Sequence, residues 1–275
     1  MPSKRPFRIV ELGCGKDPVG LFKLARRSEK RGLNRSFIGV NDKLADNEKS
    51  LHKLSLNSLL VRLGVRKAPK NLSLIENCAV HALEGFTTES QDILFESYLM
   101  NNLAKKGKCE GKHEECSARL YQNAKRVLRQ GGKFVLVQDF GSFNHYIMMA
   151  KRFGFNLSIA TIPDSLLAKS SSLALRKRST FRKRANYLNF YRKLPGQQGV
   201  IDKEAAQLMQ EGNISSPEEY ARPALFILTK PRKTPQANLR KEVNLETELF
   251  AQLAESFGVP FHEVEEIKST LNEFK

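Results

Sequence analysis

An α/β domain on a mostly parallel sheet is predicted by three features of this 275-residue sequence. Short β-branched runs alternate with longer stretches of helical periodicity, which is the pattern of helices packed on a parallel sheet. Glycines punctuate the changeovers. No apolar run approaches the roughly 20 residues that would cross a bilayer.

Arg8–Leu12 reads as the first strand, broken by Gly13-Cys14-Gly15. Asp17 then serves as an N-cap with Pro18 at the first helical position, and Leu21, Phe22, Leu24 and Ala25 form the apolar face of a helix that Gly32 closes. Ser36–Val40 is a second strand, Asp46–Leu63 an amphipathic helix ended by Gly64, Leu72–Val80 a third strand and Asp92–Tyr98 a fourth. Beyond a polar loop over 105–116, a helix over 117–129 is stopped by Gly131-Gly132, and Lys133–Gln138 is the most strand-like run in the chain. A helix over 143–153, a strand over 155–161 and a last strand, Ala224–Thr229, complete seven strands. About sixty residues separate the last two strands, too many for a bare loop, so they form an inserted substructure. The expected organisation is a core of residues 1–161 plus 222–235, a basic, mainly helical insertion over 162–221, and an acidic helical C-terminal extension over 236–275.

Charge narrows the partners. Lys and Arg number 46 against 29 Asp and Glu, for +17. The last forty residues carry −4, which leaves +21 on the first 235 and makes a polyanion the expected partner. Within the insertion Arg176, Lys177, Arg178, Arg182, Lys183, Arg184, Arg192 and Lys193 follow one another without an acidic residue, interleaved with Phe181, Tyr187, Phe190 and Tyr191. Cations that track phosphates beside aromatics that stack on bases suit RNA. Four cysteines are too few for a disulfide framework, and no secretory pattern opens the chain, so a reducing, cytoplasmic setting is expected. Cys109, His113 and Cys116 offer three soft ligand types where tetrahedral zinc wants four, so no metal is expected.

A strand that runs through glycines into a helix suits a nucleotide or an anion. The dinucleotide fingerprint fails at Pro18, where its third glycine belongs, and the P-loop fails at Leu21-Phe22. The turn Val10-Glu11-Leu12-Gly13-Cys14-Gly15, together with Arg126-Val127-Leu128-Arg129-Gln130-Gly131-Gly132-Lys133-Phe134, resembles two motifs of the class I S-adenosylmethionine-dependent methyltransferases. That resemblance implies a seven-stranded, Rossmann-like, doubly wound sheet and S-adenosylmethionine as cofactor. It places Gly13, Cys14 and Gly15 against the cofactor, Glu11 at its methionine end, Asn41 or Asp42 on the ribose and His81-Ala82 by the adenine.

The acceptor is harder to read. No Asn-Pro-Pro-Tyr-like motif follows the fourth strand, and no Pro-Cys dipeptide supplies a cytosine-C5 nucleophile. The stretch from Val137 to Tyr146 is similar to a segment of the tRNA guanine-N7 methyltransferases. This implies that Asp139, with Tyr98 and His145, shapes an acceptor pocket, Asp139 accepting from a guanine edge. Asp139 is equally well placed to cap the following helix. The expected function is methyl transfer to a structured RNA, a tRNA or rRNA base, by in-line displacement without a covalent intermediate. The alternatives are a small-molecule or protein acceptor on the same fold, and an RNA-binding protein that keeps the fold without catalysis.

Overall fold

The computed structural model describes residues 5–14, 18–41, 60, 64–97, 113–169 and 176–232. Its strands are β1 (Phe7–Leu12), β2 (Arg35–Asn41), β3 (Leu72–Glu76), β4 (Gln91–Ser97), β5 (Leu128–Asp139), β6 (Asn156–Thr161) and β7 (Pro223–Thr229). They form one seven-stranded sheet in the order β3-β2-β1-β4-β5-β7-β6. β1 lies parallel to both β2 and β4, with Glu11 opposite Gly39 on one side and Phe95 on the other, and β2 is parallel to β3. The order reverses at β1, so chain crossovers leave from both sides of it, as in a doubly wound fold. β7 runs against β5: Gly131, early in β5, donates to Lys230 just past the end of β7, whereas Phe140, just past β5, donates to Arg222 ahead of β7.

The helices are α1 (Val19–Lys30), α2 (Ala79–Gly85), α3 (His113–Val127), α4 (Phe143–Phe153), α5 (Asp164–Lys169), α6 (Phe181–Arg192) and α7 (Gln198–Gln210), with 3-10 turns at Phe140–Ser142 and Pro217–Ala221. None of the described helices is long and apolar enough to cross a membrane. The helix expected over Asp46–Leu63 and the extension over 236–275 fall outside the described residues, apart from Leu60 in a helical conformation.

The chain divides into two compact units. Among the described residues, the first takes those up to Leu136, Met149–Asn156 and the stretch from Ile227 to Arg232; the second takes Val137–Met148 and Leu157–Phe226. In the first, Tyr121 of α3 is fully buried against Phe134 of β5 and Phe153 of α4, with ring centroids 5.9 and 5.7 Å apart. In the second, Tyr146 packs on Phe226 at 4.4 Å. Every residue of β7 from Pro223 to Leu228 is buried, in keeping with its internal place in the sheet.

Two expected boundaries are corrected. The third strand stops at Glu76 and α2 begins at Ala79, so Cys78–Val80 is not strand. At the break the Asn77 Oδ1 accepts the Cys78 N–H at 2.8 Å, taking up a backbone donor that would otherwise be open to strand pairing. The fifth strand starts at Leu128 rather than after the glycine pair. Gly131, at φ 75°, is a kink inside the strand rather than a helix stop. A Cβ there would lie 2.8 Å from Arg232 Nε. Arg126 of the same motif is a helix cap: its guanidinium donates to the carbonyls of Leu83 and Phe86 at 2.7 and 2.8 Å, satisfying the end of α2.

Candidate functional site

β1 carries Val10 and Leu12 into the core, and by alternation presents Glu11 on the opposite face. Among the described residues no hydrogen bond or ion pair reaches the Glu11 carboxylate. Burial away from water pushes its pKa up to about 7. Such a group is poised to take a cation, because pairing would recover the solvation that the carboxylate has lost.

The turn after Glu11 is tightly held. Gly13 sits at φ 71°, a conformation that a side chain would strain. Its N–H and that of Cys14 both donate to the Val40 carbonyl, at 2.8 and 3.0 Å, so the turn is bolted to the end of β2. Gly39 makes this possible. A Cβ there would meet Leu74 Cδ2 at 2.9 Å and both Cys14 Sγ and Leu21 Cδ2 at 3.0 Å. Burial and the neighbouring Glu11 push the Cys14 thiol up, which keeps it protonated and inert. Gly15 and Asp17 lie outside the described residues; α1 starts at Val19 with Pro18 as its cap residue and no side-chain cap bond.

Asn41 ends β2 in register with Glu76, the last residue of β3, and the Asn77 N–H donates to the Asn41 carbonyl at 2.9 Å. Glu76 thus puts a carboxylate one strand from the position where sequence found only an amide. Asp42 lies outside the described residues. His81 and Ala82 both belong to α2, where His81 is exposed and Ala82 buried. Asn77 and Cys78 are the two residues between the end of β3 and the start of α2.

The second unit holds a different arrangement around Asp139, the last residue of β5. Its Oδ1 lies 2.9 Å from Arg178 Nε, and Oδ2 accepts the Tyr191 hydroxyl. Arg178 in turn donates to the Tyr191 oxygen at 3.1 Å and stacks its guanidinium over Tyr187, 3.8 Å from the ring centroid. Burial and the Asp139 charge raise the Tyr191 hydroxyl well above the usual phenol range, so it stays a donor. Asp139 makes no side-chain cap bond to the turn that follows. The carboxylate ties the end of β5 to Arg178 and Tyr191. Tyr220 packs on the same turn, with its hydroxyl donating to Glu204 at 2.5 Å. A Cβ on Gly141 would lie 2.2 Å from the Tyr220 ring.

The basic set is therefore split. Arg178 and Arg184 are corrected: both are buried, the first on Asp139 and the second 2.7 Å from Asp164, and neither presents its guanidinium to solvent. Arg192 is half-buried and paired with Asp202 at 2.7 Å. Arg176, Lys177, Arg182, Lys183 and Lys193 are exposed. The aromatics divide likewise, Tyr187 and Tyr191 turning into the Asp139 cluster while Phe181 and Phe190 stay 55% and 56% exposed. His145, in the first turn of α4, is half-buried with its ring 5.2 Å from that of Tyr146; Tyr98 and Cys109 lie outside the described residues. Cys116 is buried in α3.

No protein-family model matches the sequence, and no curated protein does either. Solved structures with related backbones do exist. The phosphoethanolamine N-methyltransferase 2 of Haemonchus contortus, in complex with phosphomonomethylethanolamine and S-adenosylhomocysteine, aligns with a TM-score of 0.42 at 16% identity. That alignment covers 84% of this chain and 50% of the other, so the chain spans about half the length of the nematode enzyme. The YcgJ protein of Bacillus subtilis aligns with a TM-score of 0.43 at 12% identity over 85% of this chain and 95% of its own. A TehB-like S-adenosylmethionine-dependent methyltransferase of Corynebacterium glutamicum gives 0.38 at 15% identity, over 57% and 71%.

Proposed function

We propose that the chain transfers a methyl group from S-adenosylmethionine to a structured RNA. The observation that carries the cofactor assignment is the Glu11 carboxylate, half-buried near the end of β1 beside the Gly13 turn and without a partner among the described residues. A carboxylate so placed suits an amino-acid ammonium group. Glu76 and Asn41, side by side at neighbouring strand ends, suit a ribose diol, which wants hydrogen-bond acceptors in pairs. The donor set thus fits the cofactor. When bound, the sulfonium supplies an activated methyl carbon, so the protein need only align the acceptor and exclude water.

The second unit is assigned to the acceptor. Arg176, Lys177, Arg182, Lys183 and Lys193 offer charge to phosphates, and Phe181 and Phe190 offer faces for unpaired bases. Asp139 serves this reading indirectly, by holding Arg178 and so fixing the start of the basic segment. His145 and Tyr98 remain assigned to the acceptor side.

A second reading, an RNA-binding protein without cofactor, is favoured by the Gly13 and Cys14 N–H groups, both already spent on Val40. Calorimetric titration of S-adenosylmethionine and S-adenosylhomocysteine into the wild-type, Glu11→Gln and Gly13→Arg proteins separates the two. Micromolar binding that both substitutions weaken at least about tenfold, roughly the 1.4 kcal/mol of one lost charge-assisted bond, supports the methyltransferase. RNA binding without cofactor binding up to millimolar ligand supports the second reading.

A further inference from the structure

A second basic surface lies on the first unit, away in sequence from the insertion. α1 buries Leu21, Phe22, Leu24, Ala25 and Ser28 in its own core and turns Lys23, Arg26 and Lys30 outward. Spaced by three, four and seven residues, these cations form one stripe about 10 Å long. The chain over 65–71 joins this face, because Lys70 donates its backbone N–H to Glu29 Oε1 at 3.1 Å. Lys70 is exposed there, and Arg66 and Lys67, also exposed, precede it by four and three residues. Glu29, the sole acidic residue of α1, is the residue so engaged. No described carboxylate forms an ion pair with Lys23, Arg26, Lys30, Arg66, Lys67 or Lys70.

Helix solvation alone does not require such a face. α7 is also a surface helix, and it mixes Asp202, Lys203 and Glu204 within one turn. Favourable interaction with the helix dipole accounts for Lys30 in the last turn of α1 but not for Lys23 or Arg26 before it.

We infer that the outward face of α1, with the adjoining 65–71 segment, is a docking surface for the phosphate backbone of RNA. Six exposed cations with no ion-pair partner among the described residues suit a polyanion, whose affinity comes from released counterions. The apolar side of α1 is already committed to the core, so this helix has nothing to insert among acyl chains, and lipid is the less fitting polyanion. The surface carries no base-reading chemistry: it positions the substrate, and the exposed aromatics of the insertion are left to contact bases. The inference rests on the reading that the substrate is RNA.

Fluorescence anisotropy with a labelled stem-loop RNA tests it, titrated over a series of salt concentrations against the full chain and three variants. These are K23E/R26E/K30E, the milder K23Q/R26Q/K30Q, and R182E/K183E/K193E in the insertion, each checked by circular dichroism. Both α1 variants should weaken binding, the Glu variant by about tenfold or more, and should lower the slope of log affinity against log salt by about two. If the Glu variant misfolds, the Gln variant decides. Wild-type affinity and slope in the α1 variants, with loss only in the insertion variant, overturn this surface and leave the RNA reading intact. If the wild-type chain binds no RNA, the RNA reading falls and this inference with it. Loss of binding to phosphatidylserine vesicles in the α1 variants, without loss of RNA binding, assigns the face to lipid and overturns the proposal.

Discussion

Glu11 at the end of β1 and Asp139 at the end of β5 are both carboxylates drawn out of water, and the protein treats them in opposite ways. Asp139 meets a guanidinium on one oxygen and a phenol on the other, and its Arg178 partner is itself stacked on Tyr187. Glu11 meets none of the described donors, and burial lifts its pKa to about 7. The contrast separates structural charge from available charge. A buried ion that is fully partnered fixes geometry, and one left without a partner holds free energy that a ligand can release.

The largest way to break this contrast is to orphan Asp139. Arg178→Met removes the guanidinium from beside the buried carboxylate, and should cost about 3–5 kcal/mol in urea denaturation. Adding Asp139→Asn should recover a good part of that loss, since the pair then contains no uncompensated charge. Equal losses in the single and double variants would show that Arg178 acts by packing instead.

Glu11→Gln should do the reverse and stabilise the protein. An ordinary glutamate loses its proton near 4.5 in the unfolded chain, whereas the folded protein holds it to about 7. The folded state therefore binds more protons in that interval, and stability falls as pH rises from about 4.5 to 7. Below that window the substitution should change little. Above it the variant should be more stable by about 2–3 kcal/mol. Thermal melts at pH 4 and pH 8 read the difference. On the proposed cofactor assignment, S-adenosylmethionine affinity should rise in the wild-type protein as Glu11 ionises, and the variant should lose that rise. A variant more stable at pH 8 yet unchanged in cofactor affinity would leave Glu11 without a role in binding.

Tyr191→Phe is the smallest perturbation. It removes the hydroxyl between Asp139 and Arg178 but leaves their ion pair, for a loss of about 1–2 kcal/mol. The hydroxyl already sits far above the phenol range, so wild-type stability should show no Tyr191 titration up to pH 10.

How much of this was legible beforehand varies from residue to residue. The alternation of strand and helix, the glycine turn after β1 and the position of Glu11 were all readable, because hydrophobic period and turn chemistry are local properties. The end of β3 was not. Ile75 to Val80 reads as a continuing strand by composition, yet β3 ends at Glu76, where the Asn77 side chain accepts the Cys78 N–H and α2 follows. The strand therefore ends at Glu76, in register with Asn41, and His81 and Ala82 fall within α2.

The basic segment shows the same limit more sharply. Arg178, Arg182, Lys183 and Arg184 are equivalent as a charge run, yet two of them are buried on carboxylates 39 and 20 residues away in sequence and two face water. The sequence by itself determined the α/β class, the glycine turn, the placement of Glu11 and the excess of positive charge. Tertiary structure alone decided which cations are spent on Asp139 and Asp164, that Gly39 makes room for the Cys14 turn, and that Glu76 stands beside Asn41. The physical reason is that propensity and periodicity act over a few neighbouring residues, whereas the partner of a buried charge is chosen by whatever the fold brings within about 4 Å of it.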